Sequence, residues 1–213
     1  MRRILSLALA LIAAGLAGAA SAEEKTVDAA KVFAMLDKFY AAPPAERSLL
    51  ALRYTLTHDG RPATDLHPVL IVGGKRTAIP IAADGRVERL PTAAELAAHA
   101  QVGLDAQAGM KFTNHLSLDT AIRPAQEISA AECVQAIDQA NAAIRRAAGV
   151  MAMLAPKVKA VTFIGAGSGV AVLADGKTAP LPLIKGAPAY DPEALKNVKT
   201  LRLAKAPTLV SLE

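Results

Sequence analysis

Between Leu50 and Thr57 the bulky apolar residues fall on every second position: Leu50, Leu52, Tyr54 and Leu56 alternate with Ala51, Arg53, Thr55 and Thr57. A period of two puts the first set on one face of an extended chain and the second on the other, which a helix cannot do. The stretch therefore reads as a strand with one face in a core, and Asp59-Gly60 turns the chain at its end. The same grammar recurs. Residues 68–72 (PVLIV) and 76–82 (RTAIPIA) read as strands joined by a Gly73-Gly74-Lys75 hairpin turn. Met110, Phe112, Leu116, Leu118 and Ile122 stand against Lys111, Thr113, His115, Ser117 and Asp119, and this strand is predicted to pair with 101–106 in a hairpin around Ala108-Gly109. Further strands are expected at 158–164, 170–174, 200–204 and 208–212.

Two longer helices interrupt the strands. Phe33, Leu36 and Tyr40, widened by Val32 and Phe39, predict one over 27–41, which Pro43-Pro44 ends. The capping-box spacing Ser129-x-x-Glu132 opens a second over 129–148, with Val134, Ile137, Ala140 and Ile144 as its stripe and Gly149 as its stop. Thr92-x-x-Glu95 marks a short third helix, and Asp191-Pro192-Glu193 starts a brief fourth. The expected fold class is α+β, an antiparallel sheet packed on one face by the 27–41 and 129–148 helices.

An internal repeat organises this pattern. Ala83-Asp84-Gly85-Arg86 is followed by Leu90-Pro91, and Ala174-Asp175-Gly176-Lys177 by Leu181-Pro182 at the same spacing. With a longer helix before each copy and a short one after it, the chain reads as one domain, 23–213, of two similar halves at about 27–128 and 129–213 that share one core. Gly165-Ala166-Gly167-Ser168-Gly169 has the spacing G-x-G-x-G with no room for a helix after it, which is not a dinucleotide fingerprint, and Ser168 does not stand in the G-x-S-x-G of a nucleophile elbow. The segment reads as a hairpin turn.

Residues 1–22 form a separate element. Arg2 and Arg3 precede an apolar run from Ile4 to Ala20, and Ala20-Ser21-Ala22 gives the small-x-small cleavage pattern of a signal peptide. The expectation is export by the general secretion route to the periplasm or beyond, with cleavage after Ala22 and no membrane span in the mature chain. Cleavage removes two of the positive charges behind the formal +5. The remaining charges are scattered, which argues against a nucleic-acid partner. Tryptophan is absent and only three tyrosines and four phenylalanines occur, so the flat aromatic platforms of a carbohydrate-binding module are missing and the core must be aliphatic. The one cysteine, Cys133, lies at the edge of a helical stripe and reads as a small buried apolar group.

Few residues suggest chemistry. His58, Asp59, Asp65 and His67 lie within ten residues and are the candidate metal ligands, although a zinc site needs three or four convergent donors. Asp84, Arg86, Asp175 and Lys177 are the charged residues that the repeat marks, and a groove between similar halves would carry them on its rim. Turn chemistry accounts for both sets equally well. Residues 128–149, the following 158–169 segment and Val172-Leu173-Ala174-Asp175-Gly176-Lys177 resemble small exported proteobacterial proteins grouped as a domain of unknown function. That resemblance implies export and a similar order of elements, and it carries no activity or catalytic residue. The sequence thus points to a non-enzymatic binding or interaction module of the cell envelope that needs no cofactor. It would work through an exposed sheet face or the cleft between halves, with an envelope protein among its possible partners. The alternative is a small metal-dependent hydrolase or metal-binding protein using the His58–His67 region.

Overall fold

The structure, a computed structural model, describes residues 25–104, 112–149 and 157–213. The chain begins with β1 (Lys25–Asp28), α1 (Ala29–Val32), α2 (Leu36–Ala41), a single 3-10 turn at Pro44–Glu46 and β2 (Leu50–His58). It continues through β3 (Arg61–Pro62), β4 (Val69–Val72), β5 (Lys75–Ala78), α3 (Ala93–Ala97), β6 (Gln101–Leu104) and β7 (Phe112–Thr120). Next come β8 (Glu127–Ser129), α4 (Ala130–Ala148), β9 (Val161–Ile164), β10 (Gly169–Leu173) and β11 (Thr178–Pro180). It closes with β12 (Leu183–Ile184), β13 (Ala187–Tyr190), β14 (Val198–Leu203) and β15 (Leu209–Leu212).

The fold is mostly β and not the expected α+β packing of one sheet by two long helices. The described strands form four antiparallel sheets, and α4 is the only described helix longer than seven residues. The 27–41 helix fails for a physical reason. Val27 pairs with Val102 as part of β1, and the helix that Asp28 caps ends at Phe33. Asn114 donates through Nδ2 to the Val32 carbonyl at 2.6 Å, and the Tyr54 hydroxyl donates to the Ala34 carbonyl at 2.7 Å. Those carbonyls would accept the next turn's N–H groups in a continuous helix. Met35 instead takes a left-handed φ of 75°, and α2 restarts at Leu36.

Local signals fared unevenly. Gly73 and Gly74 close the β4–β5 hairpin with φ of 54° and 81°, the double positive φ that this turn demands. Thr92 and Glu95 form a full capping box. Ser129 occupies the N-cap of α4 without a side-chain capping bond, and its backbone pairs with Thr200 as the end of β8. The predicted 101–122 hairpin is corrected: β6 pairs with β1 and β4, whereas β7 pairs with β2. The Ala108-Gly109 turn lies outside the described residues. Asp191 caps a turn by accepting from the Glu193 amide at 2.7 Å, but no helix follows. The 165–169 glycine segment is a turn, yet not a hairpin, since β9 and β10 belong to different sheets.

Two of the sheets have the same plan. The orders β1-β6-β4-β5 and β8-β14-β10-β11 each start with the strand that leads into a helix and end in a hairpin. Val102 is flanked by Val27 and Leu70, and Leu201 by Ile128 and Ala171. The same number of residues separates Val27 from Leu70 as Ile128 from Ala171. In this plan the counterpart of Asp175-Gly176 is the Gly73-Gly74 turn, not Asp84-Gly85. The latter folds back on β2, where the Leu56 amide donates to the Gly85 carbonyl at 2.8 Å. The buried apolar residues fall into two clusters where one core was expected. One holds Phe33, Leu36, Tyr54, Leu70 and Val102; the other holds Cys133, Ile137, Phe163, Leu201 and Val210.

Candidate functional site

The residues that the sequence marked for chemistry are dispersed into turns. His58 ends β2 with its ring 5.2 Å from that of Phe112 and its Nε2 3.5 Å from the Asp59 carboxylate. Asp65 and His67 stand exposed on the loop before β4. Among the described residues no group of three or more His, Cys, Asp and Glu side chains is placed to hold a metal ion. Asp84 and Asp175 each accept a hydrogen bond at 3.0 Å from the backbone amide two residues on, of Arg86 and Lys177. Lys177 also donates to the Asp175 carboxylate, and these bonds hold that carboxyl below the usual carboxylate range. None of these four residues lines a cavity described below. Cys133 is fully buried, and burial pushes its thiol up to about 12, so it carries no thiolate at neutral pH.

The concave site lies where β2 and β7 meet the two helical regions. The alternation that opens the sequence puts Leu52 on the same face of β2 as Tyr54, and the antiparallel register sets Leu118 and Leu116 opposite them. Tyr54 is covered, packed edge-on against Phe33 at 5.2 Å. Leu116 is 43% exposed. Between this face, α2 and the C-terminal half of α4 is a groove of about 610 Å³. Its walls include Met35, Phe39, Leu52, Leu118, Ala143 and Ile144. The volume falls in the roughly 300–1,000 Å³ range of small-molecule sites. A second hollow of about 670 Å³ runs along α4 past Gln135, Asp138 and Tyr190, but it is wide open to solvent.

Charge is confined to the groove's edge. Arg47 is half-buried with its guanidinium 5.2 Å and 5.6 Å from the ring centres of Phe39 and Tyr40, and its Nε donates to the Ala42 carbonyl at 3.1 Å. Neither Arg47 nor the exposed Lys38 is ion-paired with a carboxylate among the described residues, whereas Arg146 pairs with Glu46. Burial raises the Tyr40 hydroxyl above its ordinary pKa, with the Arg47 cation acting in the opposite direction. The Tyr40 hydroxyl donates to the Pro91 carbonyl at 3.0 Å, which fixes the ring under Arg47.

Gln139 of α4 holds the groove's end in place. Its Oε1 accepts from the Leu49 amide at 2.9 Å, while Nε2 donates to the Ala45 carbonyl at 2.8 Å and to Ser48 Oγ at 3.0 Å. The segment that carries Glu46 and Arg47 is thereby tied to α4. Sequence reasoning assigned Phe39, Leu116 and Ile144 to buried stripes and gave Arg47 and Gln139 no role. Gln139 is one of two buried amides on α4, with Asn141, among alanines, Cys133 and Ile137, and burial is not visible in sequence. No protein-family model, no curated protein and no solved structure matches this chain.

Proposed function

We propose that the chain is an exported, non-enzymatic binding module of the cell envelope whose ligand occupies the groove between α2, the β2–β7 face and α4. The observation that carries the reading is an apolar hollow of about 610 Å³ that keeps Leu116 43% exposed. With Met35, Phe39, Leu52, Leu118 and Ile144 beside it the lining is a contiguous apolar face, and such a face is a place for something to bind. Export rests on the leader at residues 1–22. No helix among the described residues is long and apolar enough to cross a membrane.

The reading includes a duplication of two similar halves, about 27–128 and 129–213, supported by the shared sheet order and by the matched flanks of Val102 and Leu201. On that plan α1–α2 and α4 are counterparts, and the groove is the cleft between halves. An apolar fluorescent dye tests the site. It should bind the wild type and be excluded by Ala143→Phe, which fills the groove from a half-buried position on α4. Equal dye binding by a folded Ala143→Phe variant would reject the groove as the site.

A further inference from the structure

Resting on that reading, we propose that the groove takes a single-chain anionic amphiphile, a free long-chain carboxylate whose tail lies along Leu52, Leu116, Leu118 and Ile144 and whose head meets Lys38 and Arg47. Two features of the lining point to this class. The first is where polarity is missing. The groove wall offers aliphatic side chains and one aromatic ring, Phe39, while its charged side chains are exposed or half-buried at the edge. A ligand with polar groups along its length, such as a sugar or a peptide, would leave them unpaired against that wall, at a cost for each. An apolar body with one polar end leaves none unpaired.

The second is the sign of the edge. Lys38, Arg47 and Arg146 face one carboxylate, Glu46, and Arg146 already neutralises it. The remaining two cations have no carboxylate partner among the described residues. Arg47 is also prepared for an anion. Its stacking on Phe39 and Tyr40 and the bond from Nε to Ala42 orient the guanidinium and leave the terminal nitrogens for a carboxylate.

Isothermal titration of the exported protein with octanoate, decanoate, dodecanoate and decanol tests the assignment. The expected result is affinity rising about fourfold per added CH2 until the groove is filled. Decanol should bind on the order of tenfold more weakly than decanoate. Lys38→Glu should shrink that difference, and Leu116→Asp should abolish binding of both. Both residues are exposed, so the variants keep the fold, and circular dichroism verifies it. Decanol binding as tightly as decanoate would overturn the anionic class and leave the groove standing as a neutral apolar site. No binding of any chain by folded protein would overturn the groove reading as well. Unchanged decanoate affinity in Leu116→Asp would overturn the location.

Discussion

Replacing Gln139 by alanine removes three hydrogen bonds between α4 and residues 45–49 at one stroke. The residue is 8% exposed, so the bonds lie in a protected environment. A net hydrogen bond contributes about 0.5–1.5 kcal/mol, and a buried group left without a partner costs more. The three partners do not lose equally. Ala45 and Ser48 are exposed and regain water, whereas Leu49 is half-buried and its amide is left with poorer access. The expected cost is therefore about 2–3 kcal/mol. For a chain of this length that lowers the melting midpoint by roughly 4–10 °C. Urea unfolding of Gln139→Ala against wild type reads the difference, with Asp138→Ala as the control. Asp138 is the exposed neighbour on the same helix and should change stability by less than about 0.5 kcal/mol. Gln139→Ala should also weaken dye binding in the groove, because the bracket positions Arg47. A Gln139→Ala protein as stable as the Asp138→Ala control would refute the bracket.

The two Asp-Gly turns should respond differently to alanine. A Cβ at Gly85 would stand 2.6 Å from the Leu56 carbonyl oxygen at a φ of +83°, whereas Gly176 has a φ of +84° and open space around it. Gly176→Ala should cost about 1 kcal/mol and Gly85→Ala at least twice that, and equal costs in denaturant titrations would contradict the assignment of Gly85 to the β2 contact. Cys133 should resist a thiol reagent in native protein and react on unfolding. Because its folded pKa is raised to about 12, the neutral thiol's contribution is intact below the unfolded value near 9 and is lost as pH rises from there through 12. The alkaline fall of the melting midpoint should therefore be shallower in Cys133→Ala, and an unchanged slope would remove the thiol from the account.

What could be read from sequence was local. The Gly73-Gly74 hairpin and the Thr92–Glu95 box are each complete within a few residues, so nothing distant competes with them. Ser129 and Glu132 carry the same capping spacing, yet Ser129 makes no side-chain capping bond, so the spacing alone does not dictate the box. The helix expected at 27–41 has the correct apolar spacing but loses two carbonyls to Tyr54 and Asn114, residues far along the chain. Hydrophobic period identifies the apolar face of a strand or helix, not whether anything covers it. Leu116 and Phe39 obey the period and line a groove. The two Asp-Gly pairs are not in equivalent places, one folding back on β2 and the other closing the β10–β11 hairpin, because an Asp-Gly pair makes a turn wherever it occurs.

Methyl-detected NMR of the protein titrated with decanoate tests the central claim most directly. The account predicts saturable shifts at Leu52, Leu116, Leu118 and Ile144, with the buried Leu201 and Val210 of the other cluster unmoved. Shifts centred on the second hollow at Val134, or none at the four groove methyls, would contradict it.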